Sequence, residues 1–226
     1  MRKIFLAIIS CAASVLCMSQ SNSANLSNTK DSTLKATIHA DSMKIESEFA
    51  EKERWDKLFA KAEFPAINAG KYSGVFPVQD ITEIPDPNMQ YKLLYEMTEE
   101  NPDSALNEPD YSLVEIARLI NLHVASGIPL KNLTVVVVAH GLALHSISTN
   151  KAYQKKFKMN NPSLELVKDL EKIGVRFIAC GQAMSFMNVK EEDLVSGIRI
   201  SLTAQTALSG YQLKGYVLKS LDPEKR

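Results

Sequence analysis

The stretch LTVVVVA at residues 133–139 decides the fold of this chain. It is a continuous β-branched run, which is typical of a central strand in a parallel sheet that is covered on both faces. His140 and Gly141 follow the run directly. The sequence therefore predicts a buried strand that ends beside a polar side chain.

Helix and strand patterns alternate on both sides of this strand. Upstream, residues 91–98 predict a strand and residues 110–127 predict an amphipathic helix. Downstream, residues 160–174 predict a helix with Asn161 as its cap and Pro162 at its first position. Further strands are predicted at residues 175–179, 198–204 and 215–221, with a helical stretch near residues 206–213. This alternation indicates βαβ crossovers, so the predicted fold class is α/β, with three layers: a central, mostly parallel five-stranded sheet and helices on both faces.

The first 24 residues have the layout of a secretory signal peptide, because two cations precede an apolar run of about a dozen residues. We therefore expect a periplasmic or secreted protein. An alternative is lipoprotein anchoring at Cys11, although the apolar run before this cysteine is short. No later stretch reaches the roughly 18 consecutive apolar residues of a membrane span, so no stable span is expected.

The rest of the chain divides by composition. Residues 25–42 are rich in Ser, Asn, Thr and Lys and predict a flexible linker. Residues 43–64 predict an amphipathic helical extension whose charges form a solvated face; a partner-binding helix is the alternative. Residues 65–222 form the predicted α/β domain. Its first part, to residue 90, is rich in proline, glycine and asparagine and predicts irregular structure with one short strand near residues 72–78.

Charge and motifs exclude several classes of function. Lys and Arg number 26 and Asp and Glu number 26, so no net charge draws the chain to nucleic acid. The sequence shows no phosphate-binding loop and no Gly-x-Ser-x-Gly elbow of a serine hydrolase. We predict no cofactor and no nucleic-acid partner, and we leave open whether the chain is an enzyme.

Cys180 follows the predicted strand 175–179 and is the cysteine that remains once the leader is removed. An odd cysteine in an exported protein suggests a reactive thiol or an intermolecular bridge. In an open parallel sheet, ligands bind beyond the carboxyl ends of the strands. Because His140 and Cys180 both follow strands, we expect them at the same edge of the sheet.

A thiol at this position can be activated by the free amides of a helix that begins at Gly181. His140 or His145 would supply a proton acceptor or a cation. Thiolate is the nucleophilic form, so the predicted chemistry is attack on sulfur or its carriage. We assign catalytic roles to Cys180 and His140. The predicted ligand-binding residues are Gly141, Gly181 and Gln182.

Three alternatives remain open from the residues alone. Cysteine is among the most often buried residues, so Cys180 has a packing role as its alternative. A histidine at a strand end often hydrogen-bonds only the backbone, which is the alternative for His140. A metal site made by His140, His145 and Cys180 is the third alternative, although our prediction contains no metal.

Several segments resemble the DsrE/DsrF-like family, in particular its exported members. They are VVVVAHGLAL (135–144), GVRFIACGQAM (174–184) and ISLTAQTALSGYQLKGYVLKSL (200–221), and the resemblance extends over about residues 65–221. It implies an α/β fold with a central parallel sheet of flavodoxin-like topology and assembly into trimers or hexamers. In cytoplasmic sulfur-relay members, a cysteine after the corresponding strand accepts and passes on a persulfide. The matching cysteine here is Cys180, and the matching HG pair is His140 and Gly141.

Two functions follow from these observations. The first is an exported protein that binds or transfers sulfur as a persulfide on Cys180, with a sulfur donor or acceptor as its partner. The second is a non-catalytic oligomeric module for small-ligand binding or assembly, in which Cys180 packs. A hydrolase or metal enzyme that uses His140 and His145 is a third, less favoured reading.

Overall fold

The structure is a computed structural model that describes residues 34–35 and 37–221. The predicted signal peptide, the alternative anchor at Cys11 and the first part of the predicted linker lie outside these residues. The chain divides into two units, with the boundary between Leu58 and Phe59. In the described part of the chain, no helix combines the length and the apolar character needed to cross a membrane.

Helix α1 spans residues 37–59 and carries most of the first unit's described residues. Residues 37–42 belong to this helix, although the sequence predicted a linker there. Once a helix is nucleated, each added residue gains a hydrogen bond, which favours extension through a polar segment of this kind. Ion pairs one turn apart link Lys44 to Glu48 and Glu53 to Lys57.

Five parallel strands form the predicted central sheet, in the order β4-β3-β2-β1-β5. The strands are β1 (Tyr91–Met97), β2 (Leu133–Ala139), β3 (Arg176–Cys180), β4 (Arg199–Ser201) and β5 (Val217–Lys219). The stretch 133–139 is the central strand β2, and its residues 135–139 are all buried. The five-stranded parallel sheet is therefore confirmed.

The helices cover both faces of the sheet, which confirms the three layers. They are α2 (Tyr111–Ala125), α3 (Asn150–Phe157), α4 (Leu164–Lys172), α5 (Gly181–Met187) and α6 (Ala204–Leu213). Strands β1 to β4 follow one another across the sheet, so right-handed crossovers place α2, α4 and α5 on one face. The connection from β4 to β5 runs back across the sheet and places α6 on the other face. This strand order differs from the 2-1-3-4-5 order of flavodoxin. Here β1 to β4 are added in one direction across the sheet, and β5 then pairs with the other side of β1.

The two faces of the sheet have separate apolar cores. The larger core lies under α2 and α4 and contains Tyr95 and Phe177. The smaller core lies under α6 and includes the side chain of Cys180. Its buried members are Leu94, Val136, Val138, Ile178, Cys180, Ala204 and Leu208. The thiol therefore faces α6.

The segment before β1 is irregular, as predicted, but the predicted strand near residues 72–78 does not form. A short 3-10 turn at Lys71–Ser73 and an isolated antiparallel bridge between Glu63 and Val75 occupy this region. The physical reason is a buried asparagine of α2. The Asn121 side chain accepts hydrogen bonds from the amides of Ala66 and Ile67 and donates to the carbonyls of Ile67 and Ser73.

Helix α4 begins later than the sequence predicts. Its N-cap is Ser163, and Asn161 lies two residues before this cap. The Asn161 side chain accepts from the Ser163 amide and donates to the carbonyls of Ser146 and Ser148. Asn161 therefore does not cap the helix as predicted, because its buried side chain makes hydrogen bonds to a loop that is distant in the sequence.

Candidate functional site

Three polar side chains lie on the α6 face of the sheet at its carboxyl edge: Glu96, His140 and Cys180. Each lies two residues beyond a buried apolar residue of that face. Because side chains alternate along a strand, residues that are two positions apart lie on the same face. These buried residues are Leu94, Val138 and Ile178. The His140 backbone is extended and its amide donates to the carbonyl of Met97, so the ladder and the alternation continue past the end of β2.

Cys180 ends β3 and is 6% exposed. Its Sγ accepts a hydrogen bond from the backbone amide of Ala204, with a distance of 3.2 Å between nitrogen and sulfur. Ala204 is the first residue of α6, and Thr203 caps this helix by accepting from the Thr206 amide. The first amides of a helix lack intrahelical acceptors and lie at its positive end. The sulfur therefore occupies a position that stabilises negative charge.

The thiol also lies at a topological switch point of the sheet. Strand β3 continues into α5 on one face, whereas the neighbouring strand β4 continues into α6 on the other. Cys180 and Ser201, the last residues of the two strands, are partners in the ladder. Open parallel sheets bind ligands at switch points of this kind.

The amide that contacts the thiol differs from the predicted one. The sequence pointed to the helix that directly follows Cys180, which is α5. In the structure the Gln182 amide at the start of α5 donates to the carbonyl of Leu202. Sequence reasoning missed Ala204, although the Thr203 to Thr206 spacing after a strand is a helix-capping signal that marks the start of α6.

His140 directly follows β2, the strand that pairs with β3. Ala139 pairs with Ala179 in the parallel ladder, so His140 and Cys180 are the next residues along the two chains. The structure thus brings the two predicted catalytic residues to adjacent positions on one face. The His140 Nε2 atom lies 2.9 Å from Glu96 Oε1 on β1, and both side chains are partly exposed. Sequence reasoning missed Glu96, whose only signal was an acid in the otherwise apolar end of the strand YKLLYEM.

The two predicted ligand-binding glycines lie where backbones approach closely. Gly141 has a φ of 58°, and a Cβ atom there would lie 3.0 Å from the carbonyl oxygen of Thr98. A Cβ atom on Gly181 would lie 2.9 Å from the carbonyl oxygen of Ser201. Both glycines therefore have a packing reason to be present, and ligand binding by Gly141, Gly181 and Gln182 stays a prediction.

His145 lies at a different part of the carboxyl edge of the sheet from Cys180 and His140. It lines a cleft of about 520 Å³ together with residues of α3 and the segment after α5, and the lining includes neither Cys180 nor His140. Burial, and secondarily the charge of Lys156, lower the pKa of His145 to about 4, and its ring packs edge-on against Phe157. Among residues 34–35 and 37–221, no group of three or more His, Cys, Asp or Glu side chains is arranged to hold a metal ion.

Seven chains of known structure match this chain, including the following two. One is the protein of unknown function MTH1491 from Methanobacterium thermoautotrophicum, with 19% identity and a TM-score of 0.43 over 57% of this chain and 97% of that one. The other is the ychN protein from E. coli, with 14% identity and a TM-score of 0.39 over 57% of this chain and 96% of that one. No curated protein matches the chain.

The DsrE/DsrF-like family model matches residues 104–219, which run from the turn before α2 to the end of β5. The matched part contains His140, Cys180 and Ala204. The match supports a function of the sulfur-relay kind in general. By this match, over half of its length, the chain belongs to the DsrE/DsrF-like family.

Proposed function

We propose that this protein binds or transfers sulfur as a persulfide on Cys180. The observation that carries the proposal is the hydrogen bond from the Ala204 amide to Cys180 Sγ at the switch point of the sheet. A backbone amide at a helix N-terminus favours the thiolate, which is the nucleophilic form of cysteine. Family membership supports the same class of chemistry.

The proposed step is a thiol exchange on sulfur. The Cys180 thiolate attacks a sulfane sulfur of the donor, and a new S–S bond forms between Sγ and that atom. The S–S bond of the donor breaks, and its electron pair leaves with the remainder of the donor. The proton of Cys180 passes through His140 to the leaving group or to solvent. The outer sulfur of the persulfide then carries the negative charge.

The burial of Cys180 limits the size of the donor. Only 6% of this residue is exposed, so a bulky reagent cannot surround the sulfur. We therefore expect small donors, such as inorganic polysulfide or thiosulfate.

The test is the intact mass of the chain after exposure to inorganic polysulfide. The full chain with Cys11→Ser and Cys17→Ser, called the sole-thiol chain below, has Cys180 as its one cysteine. We expect a mass increase of one or more sulfur atoms that maps to the peptide with Cys180 and disappears after treatment with dithiothreitol. A chain that gains no sulfur in its native state, yet gains it when unfolded, would show that the fold hides the thiol and would contradict the proposal.

A second candidate is a non-catalytic module in which Cys180 packs and a second copy or a small ligand completes the surface. The membership of Cys180 in the core under α6 favours it. Exposed apolar side chains near the two sheet edges support assembly into a homo-oligomer, for which the family resemblance implies a trimer or hexamer. They are Ile200, Leu202, Leu213, Val217 and Leu218. The polysulfide experiment separates the two candidates, because the packing role predicts no sulfur uptake.

We also propose that the protein is exported. The leader pattern of the first 24 residues supports a periplasmic or secreted location, with Cys11 anchoring as its alternative. Cleavage of the leader would leave Cys180 as the sole cysteine of the protein.

A further inference from the structure

We infer that Glu96 is a positioning residue of this site, whose carboxylate holds His140 in the tautomer that takes the proton of Cys180. The inference rests on the proposed function and adds a residue to it. Glu96 lies on β1, His140 follows β2 and Cys180 ends β3, so three neighbouring strands each contribute one group to the same sheet face.

The geometry fixes which ring nitrogen of His140 carries the proton. Its Nε2 atom lies 2.9 Å from Glu96 Oε1. A carboxylate only accepts hydrogen bonds, so Nε2 is the donor and carries the hydrogen. In a neutral imidazole the other nitrogen, Nδ1, then has the free lone pair. Glu96 thus leaves Nδ1 available as the base.

A backbone hydrogen bond fixes the main chain of His140 beside β1. The His140 amide donates to the carbonyl of Met97, the residue after Glu96, so strand pairing and the side-chain contact both bind the histidine to β1. From this position the ring projects from the face of the sheet that carries Cys180. The side chains of His140 and Glu96 are 25% and 32% exposed, so a proton held by the pair can pass to solvent.

The proton transfer is balanced without an oxidant or a reductant. The S–H bond of Cys180 breaks as a proton moves to His140 Nδ1, which leaves a thiolate and an imidazolium whose charge faces the Glu96 carboxylate. The thiolate then attacks the sulfane sulfur of inorganic polysulfide. The shortened polysulfide leaves with the electron pair of the broken S–S bond and takes the proton from Nδ1.

Glu96→Gln in the sole-thiol chain tests this role. The amide has the shape of the carboxylate but both donates and accepts, so it no longer selects one tautomer and carries no charge against the imidazolium. We expect sulfur uptake from inorganic polysulfide to slow about tenfold, a modest share of what a positioned base contributes. The midpoint of thermal unfolding should stay near that of the parent chain, because a partly exposed polar contact of this kind contributes little to stability.

Two further readouts distinguish this role from a structural one. In the His140→Ala background, Glu96→Gln should cause no additional slowing, since Glu96 acts through the ring. The nitrogen NMR shifts of His140 should report the Nε2–H tautomer in the parent chain and a mixture of tautomers in Glu96→Gln.

Two results would overturn the inference and leave the sulfur chemistry of Cys180 intact. One is an uptake rate in Glu96→Gln equal to that of the parent chain, and the other is an equal slowing by Glu96→Gln with and without His140. Failure of the parent chain to take up sulfur would instead overturn the proposed function. In that case the rate of Cys180 alkylation by iodoacetamide, compared across the same variants, decides the role of Glu96.

Discussion

Cys180→Ser in the sole-thiol chain is expected to abolish sulfur uptake from inorganic polysulfide and to leave the fold in place. A hydroxyl does not form a persulfide, so the intact mass should stay unchanged after exposure. Serine is close to cysteine in size, and its oxygen can accept the hydrogen bond that Sγ accepts from Ala204. Burial of a hydroxyl in the apolar core under α6 should lower the free energy of unfolding by about 1–2 kcal/mol.

Cys180→Ala provides the matched control for packing. It also removes the thiol, but it leaves the Ala204 amide without its sulfur acceptor, so it should be at least as destabilising as serine. Both variants should fail to take up sulfur. Sulfur uptake by Cys180→Ser at the level of the parent chain would contradict the assignment of the acceptor.

Asn121→Leu is expected to lower the free energy of unfolding by about 2–4 kcal/mol, the largest stability effect that we predict. Asn121 is fully buried, and its side chain makes four hydrogen bonds to the backbone of the segment before β1. Leucine has a similar volume but leaves those amides and carbonyls buried without their partner. Urea unfolding of the variant and the parent chain gives the difference.

Asn68→Leu is the control for this measurement. Asn68 lies in the same segment and accepts one hydrogen bond, from the Gly70 amide, but both residues are exposed. Water can replace that bond, so we expect a change within about 0.5 kcal/mol. Similar losses for the two variants would show that the segment is not fixed to α2 by Asn121.

The fold was predictable wherever the signal was local. The β-branched run 133–139 was sufficient to identify the central strand, and alternation along the chain was sufficient to identify the five parallel strands. The meeting of His140 and Cys180 was also predictable, because parallel strands place their carboxyl ends at one edge. The helix predicted over residues 110–127 forms with nearly these bounds, because its cap acts locally: the Asp110 side chain accepts from the Ser112 amide.

The rest depended on contacts between distant residues. The bond from Ala204 to Cys180 joins positions 24 residues apart, and it requires that the chain cross to the other sheet face after β4. The contact between Glu96 and His140 depends on the register of β1 against β2, and one residue of slippage would move either side chain to the opposite face. Asn161 failed as a cap because its amide serves a neighbouring loop.

The central claim is that the amide of Ala204 makes Cys180 reactive, and the most direct test compares Ala204→Pro with Ala204→Val in the sole-thiol chain. Proline has no N–H but suits the first position of a helix, and the extended backbone of Thr203 suits the residue before a proline. Valine adds similar bulk and keeps the amide. The rate of alkylation of native Cys180 by iodoacetamide at fixed pH should be about tenfold lower in Ala204→Pro than in Ala204→Val, as expected for the loss of a charge-assisted hydrogen bond. Equal rates in the two variants would contradict the account.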